Sequence, residues 1–161
     1  MGKHIHDGLR GKTALVTGAG SGIGAALSKC FGKLGVRVIC VGRTKKTIED
    51  VASSIKNDSG EAIHFVTDAT DPVQMEALSQ EIKKKYGGID FAFLNAGGNI
   101  QQQSIENSDL SEWKEAVDLN MMTFFLGVRI SAPLMRINGG GRIVLTGSAM
   151  AHYPSASNSS Y

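Results

Sequence analysis

The chain is poor in cysteine, lacks any long apolar run and carries no large excess of one charge, and each shortage removes a class of protein. Only two cysteines, Cys30 and Cys40, stand among 161 residues. One falls on an apolar helical pattern and the other within an apolar strand pattern, so both are expected as reduced core residues rather than a disulfide. No apolar stretch approaches the ~18 residues of a membrane span. Glycine follows Met1, but His6 stands where a myristoylation signal needs serine or threonine. The 17 lysines and arginines against 15 aspartates and glutamates leave a formal charge of +2. That excess is too small to suggest a nucleic-acid partner, and the basic run at 83–85 reads as a solvated helix end. A cytoplasmic protein with no membrane contact and no metal site is expected.

Glycine, by contrast, is plentiful: 20 residues, nearly twice the usual ~7%. Its most telling cluster lies in residues 12–34, KTALVTGAGSGIGAALSKCFGKL. A short apolar run breaks into Gly18, Gly20, Gly22 and Gly24, and a helical pattern follows at once. Ile23, Ala26, Leu27, Cys30, Phe31 and Leu34 recur at the spacing of one helix face. Strand, glycine turn and helix N-terminus together form an anion cradle, because unpaired backbone N–H groups and the positive helix end point into the turn. Glycines let the backbone take positive φ and admit a diphosphate without a Cβ in the way. The chain is therefore read as a nucleotide binder.

Strand and helix patterns alternate along the rest. Strands are predicted at 13–16, 36–41, 62–66, 89–94 and 142–145, short and apolar on both faces, as strands covered by helices on either side should be. Ile48, Val51, Ala52 and Ile55 make one helical stripe, and Val73, Ala77, Leu78 and Ile82 a looser one. Asp71-Pro72 is a helix start and Gly87-Gly88 a stop. The longest helical region spans 110–137, with Met121, Phe124, Phe125, Val128, Ala132 and Met135 on a core or interface stripe, and Pro133 is expected to kink or shorten it. Such alternation implies a three-layer α/β/α arrangement around a doubly wound, Rossmann-type parallel sheet with right-handed crossovers. One dinucleotide-binding domain over 1–161 is expected, with a short polar arm at 1–10.

A lone glycine turn is a weak signal, but here T-G-x-x-x-G-x-G is filled by Thr17, Gly18, Gly22 and Gly24, and further features fall in register with it. Gly42-Arg43 closes the second strand about 20 residues beyond the turn, where a dinucleotide's adenosine ribose is read. Asp68 and Ala69 follow the third strand, and Asn95-Ala96-Gly97 the fourth. Ser148 follows the fifth, with Tyr161 13 positions later. All except Tyr161 sit at the C-terminal ends of strands, the edge where open α/β sheets bind ligands.

With these residues in place, the chain from 12 to 161 resembles the short-chain dehydrogenase/reductase family. TGAGSGIG, carrying Gly18, Gly20, Ser21, Gly22, Ile23 and Gly24, is similar to that family's cofactor turn. LNAGG resembles its Asn-Asn-Ala-Gly element, with Leu94 in place of the first asparagine. Asn120, Ser148 and Tyr161 match the family's catalytic Asn, Ser and Tyr. The resemblance implies hydride transfer between a nicotinamide coenzyme and a carbonyl or secondary alcohol substrate. Tyr161 would give or take the oxygen's proton, Ser148 would donate a hydrogen bond to that oxygen, and Asn120 would hold a helix kink and anchor a water. It further implies Asp68 at the adenine amino group, the backbone of 95–97 at the adenosine ribose, and a homodimer or homotetramer.

The family's motif is Tyr-x-x-x-Lys, and this sequence ends on the tyrosine. A phenol of pKa about 10 is ionised to roughly one part in a thousand at pH 7 without such help. The chain is therefore expected to be the N-terminal portion of a longer protein, incomplete after the fifth strand, with that strand an unpaired edge, and inactive as it stands. A non-catalytic dinucleotide-binding module or redox sensor is the alternative reading. Family members that use NAD place a carboxylate at the end of the second strand to meet the ribose 2′-OH. Here Gly42 and Arg43 stand there, with Lys45 and Lys46 beyond, and a guanidinium grips a phosphate through paired hydrogen bonds. NADP(H) is thus expected over NAD(H). Residues 101–103 and 152–154 are expected to border the substrate pocket.

Overall fold

The apolar runs form the strands β1 (Thr13–Thr17), β2 (Arg37–Gly42), β3 (Ala62–Val66), β4 (Phe91–Leu94) and β5 (Arg142–Leu145). The computed structural model describes residues 8–100, 102–153 and 155, so Tyr161, Gln101, Pro154 and most of the arm lie outside the described residues. The strands make one sheet in the order β3-β2-β1-β4-β5, every pair parallel. Compared with the sequence expectation, β1 gains Thr17, β2 shifts by one residue, and Ile89 and Asp90 lie ahead of β4. Asp90 is a clamp there instead. Its carboxylate accepts from the Thr13 N–H at 2.8 Å and from Lys12 Nζ at 3.0 Å, tying the entry of β4 to that of β1.

Alternate residues feed two cores, as period-two side chains must. Leu15, Ile39, Val41, Ala92 and Leu94 meet α3 (Pro72–Tyr86) and α5 (Thr123–Ile137) on one face. Ala14, Val16, Val38 and Cys40 meet α1 (Gly22–Lys33) and α2 (Lys45–Asn57) on the other. Helices thus cover both faces of the sheet, as the alternating pattern predicts. Asp71 caps α3 by accepting from the Val73 and Gln74 N–H groups, and Gly87 ends it at φ 76°.

Several helix faces differ from the periodicity. In α1 the buried residues are Gly24, Ser28, Phe31 and Gly32, while Ile23 is 66% exposed and Cys30 lies exposed on the surface. Cys30 is therefore not a core residue; Cys40 is, and burial pushes its thiol up to about 11. In α3, Val73 and Ala77 face outward and Met75 joins Leu78 and Ile82 inside. The expected long helix is three pieces: α4 (Leu110–Val117), a π-helical segment (Asp118–Met122), and α5. Pro133 does not end α5, which continues to Ile137. Leu134 and Met135, just beyond it, are buried in the core, and their packing outweighs one missing backbone hydrogen bond. β5 is not covered on both faces: it lies at the sheet edge, with Val144 and Leu145 exposed.

Candidate functional site

The strand order reverses between β1 and β4, which are both central and adjacent. At such a point the loops leaving neighbouring strands run to opposite faces and open a crevice. The β1–α1 turn enters it through Gly18 at φ 65° and Gly22 at φ 48°. A Cβ on Gly24 would lie 2.2 Å from the Gly18 carbonyl oxygen and 3.0 Å from Asn95 Nδ2, so the first turn of α1 packs directly on the turn and on the end of β4. Ser21, the N-cap residue, is extended and makes no side-chain cap bond. The first N–H groups of α1 therefore keep their donors for whatever enters the crevice.

Three hydroxyls and one amide hold the strand ends around it. Thr17 Oγ1 accepts from the N–H groups of Asn95 at 2.9 Å and Ala96 at 3.1 Å. Thr146 Oγ1 donates to Asn95 Oδ1 at 3.0 Å. Thr123 Oγ1 donates to the carbonyls of Leu119 and Ala96. Asn120, inside the π-helical segment, spends its amide on backbone: Oδ1 accepts from the Gly98 N–H, and Nδ2 donates to the carbonyls of Gly98 and Ala116, each at 2.9 Å. The same loop leaves no room at Gly97, where a Cβ would fall 2.8 Å from Asn120 Oδ1. Both donor hydrogens of that amide are engaged, so only its remaining acceptor capacity or its backbone could hold a water.

The crevice has a volume of about 650 Å³. Of the residues singled out in the sequence, Gly18, Ser21, Gly22, Ile23, Arg43, Asp68, Ala69, Asn95, Ala96, Gly97, Asn120 and Ser148 line it together. Gly20 and Gly24 stand behind the wall rather than in it, and Tyr161 lies outside the described residues. Gln102, Gln103, His152 and Tyr153 do not line this crevice. Asp68 Oδ1 accepts from the Thr70 N–H and hydroxyl at 2.9 and 2.8 Å, which fixes the carboxylate at the mouth. Ser148 Oγ accepts from the Met150 N–H at 3.1 Å, so its own proton remains available to donate. Arg43 is exposed and makes no ion pair among the described residues, whereas Lys46 is engaged with Asp50 at 3.2 Å.

Sequence reading missed Thr123 and Thr146, and read Thr17 only as a motif letter; a hydroxyl's partner lies on another element and leaves no local signature. Val117, Leu119, Met121 and Phe124, which also line the crevice, were missed because helical periodicity alone cannot tell a crevice wall from a core. A diphosphate fits the cradle on structural grounds, since the uncapped helix start faces a space that glycines keep free of Cβ atoms. Among the described residues no group of three or more His, Cys, Asp or Glu could hold a metal ion, and no helix is long and apolar enough to cross a membrane.

Comparison with known proteins gives this geometry relatives. A family profile described as short chain dehydrogenase matches residues 12–161. An uncharacterised oxidoreductase of Staphylococcus haemolyticus is 31% identical over 154 residues, covering 95% of this chain and 65% of its own length. A fatty acyl-CoA reductase of Mycobacterium tuberculosis is 35% identical over 139 residues, covering 84% of this chain and 47% of its own. Among solved structures, a short-chain type dehydrogenase/reductase from Mycobacterium marinum superposes with a TM-score of 0.86 at 32% identity, covering 91% of this chain and 60% of that one. The chain thus spans about half to two-thirds of the length of these relatives.

Proposed function

The chain belongs to the short-chain dehydrogenase/reductase family, and from that premise we propose that it forms the coenzyme-binding part of an oxidoreductase. The reaction is hydride transfer between NADP(H) and a carbonyl or secondary alcohol. One observation carries the reading: the uncapped start of α1, closed on β4 by Gly24, opens into the same crevice as Ser148 and Asn120. In that assignment the turn at Gly18 and Gly22 and the N–H groups of α1 hold the diphosphate charge. Arg43 takes the 2′-phosphate, since a guanidinium at the end of β2 attracts what a carboxylate there would repel. Asp68 and Ala69 face the adenine, and 95–97 the adenosine ribose.

The bound coenzyme supplies the hydride donor or acceptor. Ser148, held through its oxygen by the Met150 N–H, donates a hydrogen bond to the substrate oxygen and stabilises the charge that builds there. Tyr161 gives or takes the proton of that oxygen. Asn120 acts by position, keeping the loop at Gly98 and the π-helical segment together. The stripe of Met121, Phe125 and Val128, exposed at 64, 58 and 37%, supports a homodimer or homotetramer of the complete protein. A cytoplasmic location is part of the same proposal.

Titration of the protein with NADPH and NADH, followed by nicotinamide fluorescence, tests the assignment. Tighter binding of NADPH is expected, and Arg43→Ser should remove the difference while leaving NADH unchanged. Equal affinities, or tighter NADH, would overturn the NADP preference; no uptake of either coenzyme would overturn the function itself. In a version carried past Tyr161, binding without oxidation of NADPH across a carbonyl panel would mark a binding module instead.

A further inference from the structure

Gly20 lies in the coenzyme turn yet does not line the crevice. What it touches is the first turn of α2. A Cβ on Gly20 would fall 2.4 Å from Thr47 Oγ1, 3.1 Å from Thr47 Cβ and 3.3 Å from Ile48 Cγ2. The backbone of the turn is therefore seated against Thr47 with no room for even a methyl group. Thr47 in turn donates its hydroxyl proton to the Thr44 carbonyl at 3.0 Å. Thr44 is the N-cap residue of α2 and makes no cap bond with its own side chain, so this hydroxyl is the side-chain tie on that corner. Arg43 sits between Thr44 and Gly42, and a Cβ on Gly42 would lie 2.9 Å from Ile48 Cγ2. The turn is joined to the end of β2 a second time, by the Ala19 N–H donating to the Val41 carbonyl at 3.1 Å.

We propose that Gly20 and Thr47 are an interlocking pair of positioning residues that fixes Arg43 relative to the diphosphate turn. Thr47 thereby sets discrimination between coenzymes with and without a 2′-phosphate. The inference rests on the functional reading above and deepens it. Diphosphate and 2′-phosphate hang on one ribose and can span only a limited range of distances, so the two protein elements that hold them must keep their separation within that range. Thr47 is the part that touches both: its hydroxyl meets Gly20 and holds the carbonyl next to Arg43. Loosening that hydroxyl leaves the diphosphate site intact and leaves the Thr44 carbonyl to the Ile48 N–H alone, at 3.3 Å, which slackens the guanidinium corner. Adding a methyl at Gly20 does the reverse, pushing the turn away from α2 and disturbing both coenzymes alike.

The test is a double-mutant cycle of Gly20→Ala and Thr47→Ala, with Thr47→Ser as the conservative variant. Dissociation constants for NADPH and NADH are read by nicotinamide fluorescence, and melting temperatures report the fold. Thr47→Ala is expected to weaken NADPH about 3–10-fold and NADH less than about 2-fold, and Thr47→Ser to keep the native ratio. Gly20→Ala is expected to weaken both about 10-fold or more, and the double variant to return NADH to within about 2-fold of Thr47→Ala, because the clashing oxygen is gone. An unchanged NADPH-to-NADH ratio in Thr47→Ala, equal weakening of both coenzymes by it, or additive behaviour of the double variant would overturn the pair. Binding of neither coenzyme by the unsubstituted protein would overturn the functional reading and the pair with it, whereas normal binding with an unmoved ratio sinks the pair alone.

Discussion

Asp71 shows how much a single side chain near the surface can fix. Its carboxylate accepts from the N–H groups of Val73 at 2.8 Å and Gln74 at 3.1 Å, and from Gln74 Nε2 at 2.7 Å. These bonds favour the charged form and hold its pKa below the usual carboxylate value, the Gln74 N–H foremost, then the Gln74 amide, with Val73 adding to it. A group whose folded pKa is depressed stabilises the fold above its unfolded pKa, and that contribution fades as pH falls through the folded value. Asp71→Ala is therefore expected to lower the melting temperature at pH 7 by roughly 2–6 °C, while Asp71→Asn, an equally good cap, loses less. Melting curves from pH 7 down to 2 should show the gap between the native protein and Asp71→Ala closing in the acid range; a gap independent of pH would refute the argument. At this scale the sequence is easily legible. Asp before Pro at a helix start has its partners two and three residues away, so the pattern contains the interaction.

At the scale of elements the reading was uneven, and the failures share a cause. Periodicity assumes that large apolar residues point inward. Helix α1 instead buries Gly24, Ser28 and Gly32 beside Phe31, and a Cβ on Gly32 would lie 2.5 Å from Ile55 Cγ2 of α2. Close packing against the helix backbone, by the Ile55 side chain at Gly32 and by the Gly18 carbonyl at Gly24, selects small residues, so the inner face looks polar and the outer face apolar. The break between α4 and α5 was expected at Asn120 only through the family resemblance and left no mark in the periodicity, for a different reason: Asn120 finds its partners at Gly98, 22 residues away. Asn120→Ala is expected to cost about 1–3 kcal/mol of stability, through loss of those bonds, and to speed amide exchange at Gly98. Asn120→Asp should do no better, since a carboxylate keeps the acceptor and loses both donors. Unchanged protection of the Gly98 amide in Asn120→Ala would show that the loop is held some other way.

For the molecule as a whole, the alternation of strands and helices implied a parallel sheet, and every strand pair is parallel. The strands leave β5 at one edge with Val144 and Leu145 exposed, while Phe125 and Val128 lie exposed on α5, close in sequence to Met121 of the crevice wall. If those residues of α5 join copies of the complete protein, Phe125→Glu should shift it to a smaller species in sedimentation velocity at micromolar concentration. A native protein that sediments as a monomer throughout would remove the proposal of a homo-oligomer.

What the sequence determined unaided is everything that rests on neighbours along the chain. Strand–turn–helix order, the glycine cradle, the cap at Asp71 and the cation at Arg43 all follow from residues within a few positions of one another. Tertiary structure alone decided which face of α1 goes inward, that α5 runs through Pro133, and that Thr17, Thr146 and Asn120 stitch separate strand ends and loops into one crevice. Those outcomes depend on how close two backbones come and on hydrogen bonds whose ends are 22, 51 and 78 residues apart, distances over which no local pattern carries information.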